Sequence, residues 1–287
     1  MTTTSAELAG VKPALDELHR TIGSSEGESF IAAANTFVSL WQKRRALMET
    51  HAEFVHQGLV VALVGVLADD PAGEVTLYAL RIACLMARAD ANALSLLEAG
   101  AVAAVLRILH ADPLLPDEDY IKTGDQVEAA LALLQNVAFS SEGVASILRE
   151  GGVGTVLRAM SAHLEAAPIQ KNGLGVLWNL CDDDDHWVSF LREGSFMVSV
   201  LLSTLSHHAR QGDDAEIEGK VMDMLWDLSS MGDGQAYNTA ATSRQRTLTN
   251  HPTRWHFLEL TARRMMAAGR VSVGTSWRAA ACPPCSG

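Results

Sequence analysis

Four short strings ending in glycine divide the chain at similar intervals: Phe54-Val-His-Gln-Gly58, Leu96-Leu-Glu-Ala-Gly100, Ile147-Leu-Arg-Glu-Gly151 and Phe190-Leu-Arg-Glu-Gly194, spaced by 42, 51 and 43 residues. Self-similarity at such a period marks chains built from stacked supersecondary units, none of which can bury its apolar face alone. The longer interval holds an insertion, Pro113 to Gly124, whose prolines and acids read as a loop. After each of the first three glycines, apolar residues recur at +5, +6 and +9: Leu63, Val64, Leu67; Val105, Leu106, Leu109; Val156, Leu157, Met160. Those offsets lie on one side of a helix. The fourth copy, Val200 to Leu205, matches with a shift of one or two residues.

A third element completes each unit. Asn136 and Asn179 stand fifteen residues before Gly151 and Gly194, within Leu134-Gln-Asn136-Val137 and Leu177-Trp-Asn179-Leu180, and Leu225-Trp-Asp227-Leu228 repeats the pattern. Each motif ends a long apolar segment beginning near Val127, Ile169 or Ile217, and Pro168 suits a helix start because the N–H it lacks would be unpaired there. The terminal glycines read as C-cap residues that reverse the chain in the left-handed conformation. Gly173, Gly175 and Gly219 fall inside third helices, where each costs about 1 kcal/mol against Ala unless a neighbour approaches closely. Hydrophobic residues make up 48% of the chain and aromatics only 6%, a balance that favours helix over strand. The chain reads as all-α.

On these motifs the chain resembles the armadillo repeat family over roughly Phe30 to Asp233, best in Gly151 to Met160 with His163, Ile169-Gln170 and Leu177-Trp-Asn-Leu180. HEAT-type arrays are the nearest alternative, built from two-helix units. The resemblance implies a right-handed α-solenoid of about four three-helix repeats. Residues 1–27 then form an N-terminal cap helix, Ala6 to Ile22, and a linker; residues 28–234 form the array. Residues 235–287 form an Arg-rich, largely disordered tail, with a lineage-specific appendage or the product of mis-spliced or frame-shifted coding sequence as alternative readings.

The tail carries seven Arg, no Lys and one acid, Glu259, so of the net −12 it holds +6 and the remainder −18. An acidic body repels phosphate backbones, so nucleic-acid binding by the array is not expected and a basic partner is. The start of the chain lacks a signal-peptide pattern, and the longest apolar run, Gly58 to Ala68, is 11 residues against the ~20 that a membrane-spanning helix needs. Cys84 and Cys181 sit in apolar helical runs and read as reduced thiols. A cytoplasmic location, with the nucleus possible on the same grounds, is the expectation.

Armadillo arrays bind extended peptides along a concave surface of third helices, with Asn side chains clamping the ligand backbone. The resemblance carries that role to Asn136 and Asn179, with Asp227 a variant that cannot donate; the Trp that peptide-clamping members place four residues earlier is here Ala132, Gly175 or Asp223. Trp178 and Trp226 could flank such a groove, though they read first as packing residues between repeats. Following the same helix face adds Tyr78, Arg81, Glu128, Gln135, Lys171, Asn172 and Asp223. With Glu74, Asp125, Glu216 and Lys220 the face holds six acids and three bases, which points to a basic, extended protein or peptide partner. A permanent structural or assembly component, of ciliary or trafficking machinery for example, and a regulatory subunit of an enzyme are the alternative expectations.

Catalysis is not expected: no phosphate loop, nucleophile elbow or His-Glu-x-x-His occurs, and neither cofactor nor small-molecule substrate is implied. Asp182 to Asp185 lack the glycine and distal Glu of a calcium loop and read as helix N-terminal acids. Cys282-Pro-Pro-Cys285 with His251 and His256 has neither order nor spacing of a zinc finger. His110, His163 and His207-His208 recur near second-helix ends, where they read as carbonyl caps.

Overall fold

The computed structural model describes residues 11–22, 27–43, 57–69, 74–110, 124–181, 187–211 and 215–230. Among the described residues every regular element is helical and no strand occurs. Phe54 to His56 of the first string, most of the 113–124 insertion, Asp182 to Asp185 and everything from 231 onward lie outside them.

The chain divides into two compact units, Met1–Ala159 and Met160–Gly287. Unit 1 contains α1 (Val11–Thr21), α2 (Gly27–Lys43), α3 (Gln57–Asp69), α4 (Glu74–Met86), α5 (Asp90–Glu98), α6 (Ala101–His110), α7 (Gly124–Val137), α8 (Ser141–Arg149) and most of α9 (Gly152–Ala162). Unit 2 contains α10 (Ala167–Leu180), α11 (Trp187–Gln211), which bends at Gly194, and α12 (Ala215–Ser230).

In unit 1, elements holding the same place in the sequence repeat pack on one another: α3 on α6, α5 on α8, and α2, α4 and α7 in series. In unit 2, α12 packs on α10 and α11. The nine apolar residues at +5, +6 and +9 are all buried, as are Leu15 and Leu18 of α1 and Ile22 just after it. Burial of these stripes is the main favourable term in folding, since each fully buried Leu or Val contributes about 1.5–3 kcal/mol.

Gly100 and Gly151 adopt φ of 86° and 73°, and their N–H groups return to Leu97 and Leu148 carbonyls at 2.9 and 3.2 Å, closing α5 and α8. Only glycine takes that conformation without a Cβ penalty. Gly58 differs: it lies inside the first turn of α3, and the position of a Cβ would be 3.0 Å from His19 Nε2. It opens a helix where the sequence pattern has it close one. Gly173 is a second close approach, its would-be Cβ lying 2.6 Å from Met160 Cγ, whereas Gly219 faces open space. The third helices begin at Gly124, Ala167 and Ala215, two or three residues before the apolar periodicity does, with Pro168 in the first turn of α10.

Candidate functional site

The third helices set the candidate face. Tyr78 and Arg81 stand on α4; Glu128, Gln135 and Asn136 on α7; Lys171, Asn172, Trp178 and Asn179 on α10; and Asp223 on α12. All ten are half-buried or exposed, while their neighbours Leu134, Leu177 and Leu225 are core. Trp226 and Asp227 belong to α12, but their side chains lie outside what is described.

The register between adjacent third helices brings charges across the gap. In unit 1, Arg81 Nη2 lies 3.3 Å from Asp125 Oδ2, and its guanidinium sits 5.8 Å from the centre of the Tyr78 ring. In unit 2, Glu216 takes Lys220 at 2.8 Å along α12 and Lys171 of α10 at 4.0 Å. Each of the three bases on the face therefore meets an acid of the same face. Exposed pairs of this kind contribute ~0–1 kcal/mol, so they order side chains more than they stabilise the fold.

Asn136 bonds within its own chain. Its Nδ2 donates to the Cys84 carbonyl at 2.9 Å and lies 3.3 Å from Cys84 Sγ, tying α7 to the last turn of α4. Were α4 to continue, the Arg88 N–H would serve that carbonyl; it turns to Leu85 O at 3.4 Å instead. Asn136 thus supplies a donor that the end of α4 otherwise lacks. Burial pushes the Cys84 thiol up to about 11, the nearby Arg88 charge opposing the shift. Such a thiol is inert as a nucleophile at neutral pH.

Where α4 runs into α5 and α7 into α8, a cleft of about 990 Å³ opens. Buried Ala87 and Ala93 form part of its lining, and Gln135 and Asn136 contribute the end of the third-helix face. Leu94 and Phe139 also line it, with 46% and 74% of their surface exposed. The charged lining residues are Arg88, Asp90 and Glu142. Ser140 accepts from Gly143 N at 3.1 Å and donates to Val137 O at 3.1 Å, which commits it to capping α8. Ser141 donates to Glu142 Oε2 at 3.1 Å. Only Gln135 and Asn136 of this cleft stand out in the sequence; Phe139 follows the helix end, outside the periodic stretch, and carries no local signal of exposure.

Unit 2 holds a buried polar network that the motif alone does not announce. Gln170, fully buried, donates to the Met160 and His163 carbonyls at 2.8 and 2.9 Å and accepts from the Thr204 hydroxyl at 2.8 Å. His208 Nε2 meets the Leu164 carbonyl at 3.1 Å, just past the end of α9 and not at the end of its own helix, and His110 Nδ1 pairs with Arg158 at 3.2 Å. Among the described residues no group of three or more His, Cys, Asp or Glu side chains is arranged to hold a metal ion. No single helix among them is long and apolar enough to cross a membrane.

No protein-family model matches the chain, and no curated protein matches it. Among solved structures, the chain is similar to the crystal structure of an engineered protein, Northeast Structural Genomics Consortium target OR329, with 18% identity and a TM-score of 0.61. The alignment covers 90% of this chain and 99% of that one. At that identity the likeness shows an all-helical fold in common and carries no function with it.

Proposed function

We propose that the chain is a non-enzymatic interaction module, a right-handed α-solenoid of armadillo type, that binds an extended, basic segment of a partner protein along its third helices. The observation that carries this reading is the charge on the third-helix face. The face holds six acids against three bases, a net of −3 whatever their pairing, and each base meets Asp125 or Glu216 of the same face. Residues 1–159 as a whole carry 20 acids and 11 bases. Charge complementarity of this kind chiefly raises the association rate and selects the sign of the partner, while affinity comes from many modest contacts.

The test uses the full-length chain and fluorescein-labelled decapeptides of sequence (Gly-Ser-Lys)3-Gly and (Gly-Ser-Glu)3-Gly, read by anisotropy from low to physiological salt. The expected result is binding of the lysine peptide only, weakening steeply with salt. Changing Glu128→Gln and Asp223→Asn should weaken it several-fold. Equal binding of the glutamate peptide, or affinity indifferent to salt, overturns the reading.

A further inference from the structure

We propose that the cleft between the α4–α5 and α7–α8 corners is an arginine-selective anchor subsite, in which a guanidinium stacks on Phe139 between the carboxylates of Asp90 and Glu142. This rests on the basic-partner reading and names the residue type taken at one point along it.

The first ground is the exposed aromatic. Phe139 leaves 74% of its surface in water and Leu94 leaves 46%, and they are two of the four exposed large apolar side chains among the described residues. Both line one cleft. An occupant that covers them recovers apolar burial that folding leaves unmade.

Charge selects the occupant. The charged lining residues are Asp90, Glu142 and Arg88, a net of −1. A purely apolar anchor would strip water from two carboxylates without pairing them, and an acidic one would meet like charge. A cation with an apolar stem satisfies both halves of the lining, its methylenes against Leu94 and Ala93 and its charge toward the acids. Between the two basic residues, arginine fits better: its planar guanidinium lies flat on a ring while its in-plane donors reach carboxylate oxygens, which a lysine ammonium cannot do at once.

The same pair of third helices already holds one arginine this way. Arg81 sits 5.8 Å from the Tyr78 ring centre and 3.3 Å from Asp125, so α4 and α7 together support ring and carboxylate on one guanidinium. The cleft, at the far end of those helices, presents a ring and two acids beside the half-buried amide of Gln135. Its volume of about 990 Å³ is at the upper end of the ~300–1,000 Å³ of ligand pockets, which suits a side chain with flanking backbone.

The experiment compares (Gly-Ser-Arg)3-Gly with (Gly-Ser-Lys)3-Gly and (Gly-Ser-Leu)3-Gly, each fluorescein-labelled, on the full-length chain by anisotropy. Wild type should bind the arginine peptide about threefold or more tighter than the lysine peptide. Phe139→Ala should weaken the arginine peptide by roughly two- to fivefold and abolish its preference, with Phe139→Tyr restoring it. Asp90→Asn with Glu142→Gln should weaken both basic peptides more than the equally charge-removing pair Glu98→Gln with Glu150→Gln, which lies outside the cleft. Far-ultraviolet melting should be unchanged for Phe139→Ala, because the ring is mostly exposed. If wild type binds both basic peptides equally, or Phe139→Ala keeps the arginine preference, the subsite is wrong while the basic-partner reading stands. Absence of binding by either basic peptide sinks both, and tighter binding of the leucine peptide overturns the arginine assignment.

Discussion

Replacing Asn136 separates two roles that the third-helix asparagine can have, a clamp kept for a partner or a strut between successive third helices. The Asn136 Nδ2 to Cys84 O bond, 2.9 Å long, serves a carbonyl at the end of α4 whose helical donor is turned elsewhere. Losing a donor to a buried carbonyl costs ~1–3 kcal/mol, and the half-buried position of Asn136 sets the figure toward ~1–2 kcal/mol. Alanine returns about 0.5 kcal/mol through its better helix propensity, so Asn136→Ala should destabilise the ligand-free chain by ~0.5–1.5 kcal/mol. Asn35→Ala, on the exposed side of α2, isolates the propensity effect and should stabilise by about 0.5 kcal/mol. Asn136→Asp should be worse than Ala, since it turns a carboxylate toward the Cys84 carbonyl. Urea unfolding followed by circular dichroism at 222 nm measures all three, and the Asn136→Ala penalty should persist in a Cys84→Ala background because the acceptor is main chain. If Asn136→Ala is as stable as Asn35→Ala without any ligand, the strut does not exist and the clamp regains its claim.

Two further predictions concern packing and the thiol. At Gly173 a Cβ would lie 2.6 and 2.7 Å from Met160 Cγ and Sδ, so overpacking of ~1–3 kcal/mol outweighs a propensity gain of ~1 kcal/mol. Gly173→Ala should therefore lower the urea midpoint, and in a Met160→Ala background the same change should raise it; an unchanged sign would refute the contact. Cys84, raised from 9.0 to about 11 chiefly by burial against the opposing Arg88 charge, should react with iodoacetamide at pH 8 on the order of a hundredfold more slowly in the folded chain than after unfolding, read by intact mass. Because the unfolded thiol ionises first, its contribution to stability is fully present below pH 9 and is lost as pH rises through about 11. Cys84→Ala should flatten that part of the alkaline stability profile, and an unaltered slope would mean the thiol is not buried.

From the residues alone, the repeat period, the apolar offsets and the glycines at 100 and 151 were readable because each is a local signal. A stripe at helical spacing and a residue that can hold positive φ need no knowledge of distant chain. The same locality places Arg81 on α4, Glu128 on α7 and Lys171 on α10 by helical offset alone. Gly58 shows the limit: its string looks like the other three, yet it stands in the first turn of α3, beside His19 of α1. Asn136 shows it again, since a clamp motif is legible in Leu134-Gln-Asn136-Val137 but its partner lies 52 residues earlier on α4. Phe139 is the third case, an ordinary apolar residue past a helix end whose exposure in a cleft exists only once α5 and α8 have docked. The sequence by itself therefore determined an all-helical chain with a repeating core and an acidic face. The tertiary structure decided which polar groups the third helices spend on one another and which side chains stay exposed in a cleft, because the register between neighbouring helices is set by packing across dozens of residues and leaves no period in the sequence.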